Sequence, residues 1–281
     1  MTIDSDTLKS IDAAAVLLAE ADALIIGAGA GMGVDSGLPD FRGGAGFWSA
    51  YPALARSKIS FHDIASPEAF RNDPVTAWGF YGHRLNLYRK TRPHDGFALL
   101  KSWGEKMEKG YSVFTSNVDG HFQKAGFSED AIYECHGSIH HLQCAKPCGQ
   151  QIWSADDFIP EVDEAECRLL SLSPACPRCA GLARPNVMMF SDFEWREGRE
   201  QAQATRMHAW LASVRRPVVI EIGAGTAIPS VRSFSHNVVG RFDGRLIRIN
   251  PREFDVPTSR DVALPMGAMR ALSLLANALE H

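Results

Sequence analysis

Short apolar runs, each closed by glycine or polar residues, recur along this chain. They cover residues 23–26, 111–115, 131–134, 218–222 and 246–249. Apolar runs of this length predict strands that are buried on both faces of a parallel sheet. Helical patterns lie between several of the runs, and residues 11–22 place Ile11, Ala14, Ala15 and Leu18 on one helix face. Strands that alternate with helices predict an α/β fold with a doubly wound parallel sheet.

The residues that follow these runs are polar or rich in glycine. They are residues 27–37, 116–119, 135–137, 223–225 and 250–251. In doubly wound sheets, ligands bind at the carboxyl ends of the strands. The pattern therefore predicts one site that is shared by several loops.

Two segments interrupt the alternation. Residues 43–92 are rich in aromatic residues and helix formers, which predicts a helical insertion or lid. Residues 139–186 carry two pairs of cysteines, which predicts a small module held by a metal ion. Residues 1–138 and 187–281 then form the main domain.

Composition and charge narrow the class of protein. The 281 residues are 45% hydrophobic and 22% charged, which is ordinary for a globular chain of about two structural units. The net charge is −4 and no long basic run occurs, so we expect no nucleic-acid partner. The N-terminal residues lack the pattern of a signal peptide, and no apolar run is long enough for a membrane span. We expect a cytoplasmic protein without a membrane partner.

The cysteines indicate a metal site, because disulfides are rare in a reducing compartment. The two close pairs are Cys144 with Cys148 and Cys176 with Cys179. Four thiolates favour one tetrahedral zinc ion, and they leave no open coordination position, so we expect a structural zinc. A ligand set in which His140 or His141 replaces one cysteine remains open. We expect Cys167 to be a free thiol.

The glycine-rich segment 27–37 follows the first apolar run. Glycines let a backbone approach a pyrophosphate and direct its amides at the oxygens. No window of the segment has the spacing G-x-G-x-x-G, so a dehydrogenase does not follow from it. A simple turn between a strand and a helix explains the glycines equally well.

The continuation of this loop resembles a known family. Residues 29–42 resemble the sirtuin motif G-A-G-x-S-x-x-S-G-I-P-D-F-R. The matching residues are Gly29, Ala30, Gly31, Ser36, Gly37, Pro39, Asp40, Phe41 and Arg42. Gly33 replaces the serine of the family, and Leu38 replaces its isoleucine.

The resemblance implies an NAD site in this loop. Gly29, Ala30 and Gly31 would cradle the diphosphate, and Phe41 would cover the bond between nicotinamide and ribose. Asp40 and Arg42 belong to the same site, with Arg42 near the phosphates, which suits its rigid fork of donors.

Ser116-Asn117-Val118-Asp119 follows Thr115 and resembles the family motif T-Q-N-x-D. The resemblance implies that Asn117 contacts a ribose hydroxyl or an ordered water and takes part in catalysis. It implies that Asp119 accepts a hydrogen bond from the nicotinamide amide. Taken alone, such a segment is typical of a turn or a helix cap. Ser116 is shorter than the glutamine of the family, which changes how the ribose is held.

Cys135-His136-Gly137 resembles the catalytic H-G of the family. A neutral imidazole would take a proton from a ribose hydroxyl, and histidine suits this role because its ordinary pKa lies near neutrality. His140 and His141 are rival candidates for the base or for a metal. We interpret Cys135 as structural.

Gly223, Ala224 and Gly225 stand where sirtuins have G-T-S. The phosphate-binding hydroxyls of the family are displaced or missing here, and Thr226 is the nearest hydroxyl that could compensate. Asn250 matches the I-N pair of the family and would meet the adenosine ribose, with Glu253 beside it.

Residues 184–190 resemble the family motif R-P-x-V-x-x-F, which lines the acyl-lysine tunnel and pairs with substrate as an added strand. Val187, Met188 and Phe190 would form an apolar sleeve for the lysine stem. An ordinary buried strand is the alternative. Tyr51 and Arg56 lie in the insertion, and we assign neither a role.

Together, the motifs imply a Rossmann-like fold with a small zinc-ribbon module and a helical insertion. The activity implied is that of an NAD-dependent protein lysine deacylase, which yields nicotinamide and 2′-O-acyl-ADP-ribose. The partner implied is an acyl-lysine protein or peptide. Protein ADP-ribosyltransferase or NAD hydrolase activity in the same pocket is the alternative.

Overall fold

The computed structural model describes residues 4–39, 43–146 and 148–280, with the backbone alone for residues 43–46. Asp40, Phe41 and Arg42, which we expect in the cofactor site, lie outside the described residues. Over the ranges that are described, no helix combines the length and the hydropathy that a membrane span requires.

Helices and strands alternate through most of the chain. The helices are α1 (Ser5–Glu20), α2 (Gly43–Ala50), α3 (Pro52–Arg56), α4 (Phe61–Ile64), α5 (Pro67–Asn72), α6 (Pro74–Lys90), α7 (Gly96–Lys106), α8 (His121–Lys124), α9 (Gly198–Leu211), α10 (Ser230–Phe242) and α11 (Ala268–Leu279). The strands are β1 (Ala23–Ala28), β2 (Tyr111–Thr115), β3 (Ile132–Glu134), β4 (Gly137–Cys144), β5 (Ile152–Ser154), β6 (Val162–Asp163), β7 (Arg168–Leu169), β8 (Ala183–Val187), β9 (Pro217–Ile222), β10 (Arg245–Ile249) and β11 (Val262–Leu264).

The main sheet has the strand order β11-β10-β9-β1-β2-β3, and neighbouring strands pair in parallel. All five apolar runs of the sequence are strands of this sheet, which confirms the prediction. The strand β11 at the sheet edge was not predicted, because its apolar run is only three residues long.

The chain reverses its direction of travel across the sheet beside β1. From β1 it proceeds to β2 and β3 on one side, and from β9 it proceeds to β10 and β11 on the other. The boundary between β1 and β9 is therefore the topological switch point, where ligands bind in folds of this type.

Helices cover both faces of the sheet. Leu24 and Ile26 of β1 belong to an apolar core formed with α1, α7 and α11. Ile25 belongs to a second core on the opposite face, formed with α9 and α10. This alternation follows from the two-residue period of a strand, and it confirms the doubly wound α/β fold.

The first helix differs from its predicted range of 11–22. It begins at Ser5, because the Asp4 side chain accepts hydrogen bonds from the N–H groups of Asp6 and Thr7 and caps the helix. It ends at Glu20, and the carboxylate of Asp22 instead accepts hydrogen bonds from the loop before β9. The predicted buried face of Ile11, Ala14, Ala15 and Leu18 is confirmed.

The helical insertion and the cysteine-bearing segment pack together. Helices α2 to α6 follow β1, and β5, β4 and β8 form a small antiparallel sheet in that order. One apolar core joins Phe47 and Trp78 of the insertion to Leu142 and Val187 of the small sheet. The division into domains at residues 139–186 remains a prediction.

Candidate active site

The loops after β1 and β9 touch each other at the switch point. The N–H of Gly29 donates to the carbonyl of Ile222 at 2.9 Å, and the N–H of Gly31 donates to the carbonyl of Gly223 at 3.1 Å. Gly223 has a φ of +61°, and a Cβ there would lie 2.3 Å from Cα of Gly31, so the position requires glycine. Of the three amides expected to hold a diphosphate, the N–H of Ala30 alone has no internal acceptor among the described residues. The glycines therefore allow the two loops to pack together, in addition to any role in ligand binding.

The segment after β2 is tied to the same loop. The N–H of Ser116 donates to the carbonyl of Ala28 at 3.1 Å, and Nδ2 of Asn117 donates to the carbonyl of Gly29 at 3.0 Å. The structure describes no hydrogen bond to the amide oxygen of Asn117 within its described residues. Asn117 thus joins two loops and keeps one acceptor for a ligand.

Asp119 is buried next to this segment. Its Oδ1 accepts a hydrogen bond from the N–H of His121 at 2.9 Å, and its carbonyl lies 2.9 Å from Nε2 of His140. Burial raises the pKa of the Asp119 carboxyl. The structure places Asp119 close to Asn117, as the motif implies, but its contact with an amide ligand remains a prediction.

His136 follows β3 at the carboxyl end of the sheet. Its Nε2 lies 3.2 Å from the hydroxyl oxygen of Ser230, the first residue of α10. Burial lowers the pKa of His136 below the usual histidine value of 6.5, although an interaction with the backbone of Ser116 opposes the shift. The ring is therefore neutral near pH 7, which is the form that accepts a proton.

The loops after β9 and β10 are joined by one asparagine. Nδ2 of Asn250 donates to the carbonyl of Ala224 at 3.0 Å, and its Oδ1 accepts from the N–H groups of Arg252 and Glu253. Arg232 of α10 also donates to the carbonyl of Ala224. Asn250 is almost completely buried, so its first role is to hold these two loops in register.

Thr226 is engaged by the neighbouring loop. Its hydroxyl donates to Oε1 of Glu253 at 2.8 Å, and its N–H donates to Oε2 at 3.0 Å. A phosphate would have to compete with this carboxylate for the same donors. Thr226 was expected to replace the missing phosphate-binding hydroxyls, but Glu253 already accepts a hydrogen bond from its hydroxyl.

A cavity of about 80 Å³ lies between the carboxyl ends of β9, β10 and β11. Its lining includes Gly31, Gly223, Ile249, Arg252 and Met266. This is the edge of the sheet at which doubly wound proteins bind nucleotides.

The four cysteines of the two pairs converge. Their Sγ atoms lie within 4.8 Å of one another, with 3.7 Å between Cys144 and Cys179 and 3.5 Å between Cys148 and Cys176. A tetrahedral zinc with bonds of about 2.3 Å to sulfur separates its ligands by about 3.8 Å. The donor set and the spacing fit one zinc ion, and neither His140 nor His141 belongs to the cluster.

The rival histidines His140 and His141 line a cavity together with Asp119. This cavity of about 490 Å³ lies next to α8 and β5, and its lining does not include His136. Burial raises the pKa of the Cys135 thiol to about 12, which agrees with a structural role. Cys167 is a free, buried thiol, as expected.

The substrate edge differs in part from the expectation. The N–H of Met188 donates to the carbonyl of His136, and the N–H of Phe190 donates to the carbonyl of Ala65, both at 2.9 Å. These two groups are therefore not available as donors to an added strand. Val187 is buried in the core, whereas Met188 is exposed and Phe190 stacks on His62. The outward face of the predicted sleeve thus consists of Met188 and Phe190.

A buried polar network beneath this edge was not predicted. Nη2 of Arg184 lies 2.8 Å from Oδ1 of Asp192, and both side chains are almost fully buried. Asn186 donates to Gln143 and to the carbonyl of Arg196. The network holds residues 188–196 against β4 and β8. An arginine and an asparagine inside an otherwise apolar strand were its only signal in the sequence.

Tyr51 and Arg56 each have a contact with another residue. The Tyr51 hydroxyl lies 2.8 Å from Nδ1 of His83, and Arg56 forms an exposed ion pair with Glu166. Neither contact assigns a role in substrate binding.

The comparisons with known proteins agree with this architecture. The profile of the Sir2 family matches residues 29–215. An NAD-dependent protein deacylase of Thermococcus kodakarensis is 31% identical over 251 residues, which cover 89% of this chain and 88% of the relative. A crystal structure of a Sir2 homologue with NAD is 22% identical, has a TM-score of 0.69, and covers 99% of this chain and 95% of its own. A Sir2 structure with a deacetylated p53 peptide is 21% identical, has a TM-score of 0.66, and covers 94% of this chain and 96% of its own.

The fold and the site define an α/β protein with a cavity at the carboxyl ends of its parallel strands and a four-thiolate cluster that fits one metal ion. The family match spans well over half of the residues, and the relatives align over almost the whole chain. The chain belongs to the Sir2 family, which confirms the resemblance found in its motifs.

Proposed function

We propose that this chain is an NAD-dependent protein lysine deacylase that releases nicotinamide and 2′-O-acyl-ADP-ribose. One observation carries the proposal: a neutral, half-buried His136 lies at the carboxyl end of the parallel sheet, in a His-Gly pair that resembles the catalytic motif of the family. The relative from Thermococcus kodakarensis bears the name of this activity, and it aligns with this chain over nearly its full length.

The NAD site is assigned to the loops that follow the strands. Its proposed residues are Gly29, Ala30, Gly31, Asp40, Phe41, Arg42, Ser116, Asn117, Asp119, Gly223, Ala224, Gly225 and Asn250. Three observations support a dinucleotide there. The N–H of Ala30 has no internal acceptor among the described residues, the amide oxygen of Asn117 has no described donor, and a cavity lies between the ends of β9 and β10.

When bound, NAD supplies a ribose carbon that becomes electrophilic as nicotinamide departs. The acyl oxygen of the substrate lysine is a weak nucleophile, so it needs this electrophile. His136 then accepts the proton of a ribose hydroxyl, so that the hydroxyl oxygen can attack the acyl carbon. Asn117 orients the ribose, and the carboxylate of Asp119 accepts a hydrogen bond from the amide of nicotinamide.

The substrate is an acyl-lysine side chain of a protein or peptide. Met188 and Phe190 provide the outward apolar face beside His136, because the N–H of Met188 is bonded to the His136 carbonyl. The apolar stem of the lysine packs against this face, and the contact excludes water from the reacting atoms. The zinc ion held by Cys144, Cys148, Cys176 and Cys179 is structural, since four thiolates leave no open coordination position. The cytoplasmic location and the absence of a nucleic-acid partner remain predictions.

The test is mass spectrometry of purified protein with NAD, with and without an acetyl-lysine peptide. We expect acyl-ADP-ribose, nicotinamide and free lysine only when the peptide is present. The His136→Ala variant is expected to lose the product, whereas His208→Ala, which removes an exposed histidine of α9, keeps it.

Two outcomes contradict the proposal. Nicotinamide released without peptide indicates NAD hydrolysis, and a mass increase of ADP-ribose on a protein indicates ADP-ribosyl transfer. Normal turnover by His136→Ala would remove His136 as the base.

A further inference from the structure

The catalytic histidine is held by a serine that is far away in the sequence. Nε2 of His136 lies 3.2 Å from Oγ of Ser230, although 94 positions separate the two residues. Ser230 begins α10, but its hydroxyl does not cap this helix, because Pro229 is the cap residue and no side-chain cap bond is formed. The hydroxyl of Ser230 is therefore committed to His136 within the part of the chain that is described.

The surroundings of the second ring nitrogen of His136 bear on which of the two nitrogens carries the proton of the neutral ring. The backbone of Ser116 raises the pKa of His136, which is the effect of a carbonyl that accepts from a ring N–H. Nε2 is the ring nitrogen beside Ser230, so a proton on Nδ1 would suit both neighbours. In that tautomer the lone pair of the neutral ring is on Nε2, where the Ser230 hydroxyl can donate to it.

The backbone of the histidine is also fixed. The N–H of Met188 donates to the His136 carbonyl at 2.9 Å. Gly137 has a φ of +78°, and a Cβ there would lie 2.1 Å from the carbonyl oxygen of Asn186, so the chain passes directly against β8. The backbone at His136 is therefore held in place beside β8.

An imidazole nitrogen has one lone pair, and in the Nδ1–H tautomer Ser230 occupies that of Nε2, which lies 3.2 Å from its Oγ. A ribose hydroxyl can reach the base either by displacing Ser230 or by passing its proton through it. The fixed backbone and the N-terminal position of Ser230 on a 13-residue helix favour the second route, because neither partner needs to move. The positive end of the helix dipole also favours the neutral, proton-accepting form of the ring.

We propose that Ser230 is a catalytic proton relay between the ribose hydroxyl and His136. The proposal rests on the deacylase function. The ribose O–H bond breaks as a new O–H bond forms at Ser230 Oγ, and the original Ser230 proton moves to Nε2. The ring then carries protons on both nitrogens, and the proton is returned by the reverse route when the acyl intermediate is resolved. No oxidant, reductant or further reactant is required.

The first test uses the protein without ligand. Nitrogen-15 NMR of the neutral His136 ring is compared in the wild type and in Ser230→Thr and Ser230→Val, two variants of the same shape. We expect a protonated Nδ1 and a hydrogen-bonded Nε2 in the wild type and in Ser230→Thr. In Ser230→Val, the chemical shift of Nε2 is expected to become that of an imidazole nitrogen that accepts no hydrogen bond. Identical spectra for the two variants would overturn the proposed hydrogen bond.

The second test separates the proton transfer from cofactor binding. Exchange of labelled nicotinamide into NAD in the presence of peptide reports the step before the ribose proton is removed. We expect Ser230→Val to lose about 100-fold in deacylation while it keeps nicotinamide exchange, and Ser230→Thr to keep both. Ser233→Val, on the exposed face of the same helix, controls for a β-branched residue in α10.

Solvent isotope effects give a readout that a structural role would not change. A relay moves two protons in one step, so the proton inventory of wild-type deacylation is expected to curve. Equal loss of exchange and deacylation in Ser230→Val, or equal deacylation by the Val and Thr variants, would overturn the relay. A wild type that forms no acyl-ADP-ribose would instead overturn the proposed function, and the ligand-free NMR test would still decide the Ser230–His136 contact.

Discussion

Arg184 and Asp192 form an ion pair at 2.8 Å in which the two side chains are 1% and 0% exposed. Asp192 also accepts hydrogen bonds from the N–H groups of Met189 and Glu194. The pair lies directly under the turn that presents Met188 and Phe190, so it connects the interior of the small sheet to the proposed substrate edge. Replacing one partner leaves a buried charge without its counterion.

We predict that Asp192→Ala lowers the free energy of unfolding by about 3–5 kcal/mol, because it leaves the Arg184 guanidinium buried and uncompensated. The measurement is denaturant unfolding followed by circular dichroism. Glu166→Ala is the matched control, since its ion pair with Arg56 is more than half exposed and is worth about 0–1 kcal/mol. Equal effects of the two substitutions would show that burial does not determine the strength of the Arg184–Asp192 pair.

The activity should depend on the protonation of His136 in a defined direction. Burial holds the pKa of His136 below 6.5, and the neutral ring is the active base. The rate constant kcat/KM is therefore expected to stay high as the pH falls to 6.5 and to decline only below it. The measurement is kcat/KM of deacylation between pH 5 and 8, where a midpoint at or above 6.5 would contradict the prediction.

The cysteine cluster predicts about one zinc per chain, because its four sulfurs have the spacing of a tetrahedral site. Metal analysis of Cys148→Ala is expected to show little zinc, and its unfolding temperature should fall because the small sheet loses its metal link. Cys167→Ala is the control, since this thiol lies outside the cluster and should leave the zinc content unchanged. If wild-type protein from which zinc has been removed unfolds at the same temperature as the zinc-bound protein, zinc has no structural role.

His121 is expected to make the protein sensitive to acid. It is 1% exposed, and neither ring nitrogen has a hydrogen-bond partner among the described residues. Burial, with a contribution from Lys124, lowers its pKa to about 4. The unfolded chain binds this proton near pH 6.5 and the folded chain does not, so stability falls as the pH drops from 6.5 to 4, by up to about 3 kcal/mol.

The corresponding measurement is the free energy of unfolding of His121→Leu across this pH range. We expect this variant to be at least as stable as the wild type at pH 7, because it removes a buried polar ring, and to lose less stability in acid. His208→Leu, at an exposed position of α9, should keep the acid dependence of the wild type. A parallel pH profile for His121→Leu and the wild type would disprove the assignment.

Substitution by alanine is expected to have opposite effects at a glycine in the contact between the switch-point loops and at a glycine with open space around it. Gly223→Ala places a Cβ 2.3 Å from Cα of Gly31 at a positive φ, so we expect both a loss of stability and a loss of NAD binding. Gly240→Ala has open space within α10 and is expected to stabilise by about 0.5–1 kcal/mol. Thermal unfolding and NAD titration of both variants provide the test, and tight NAD binding by Gly223→Ala would show that the loops tolerate separation.

Much of the fold was predictable, because parallel strands that are buried on both faces must be continuous apolar runs. The run at 218–222 lies in the centre of the sheet within β9, and all six residues of β9 are buried. The edge strand β11 escaped prediction because its apolar run is only three residues long. The start of α1 was missed because a helix can begin outside its apolar face when Asp4 caps it.

The sequence by itself determined the family, the parallel sheet and the four cysteines of the cluster, and it pointed to His136 as the candidate base. These features depend on local patterns and on spacing along the chain. Only the tertiary structure decided that Ser230 meets His136, that Asp192 meets Arg184, and that the glycines after β1 and β9 pack against each other. Such contacts join residues on different elements, and they depend on the direction of each side chain once the sheet has formed, which no local pattern encodes.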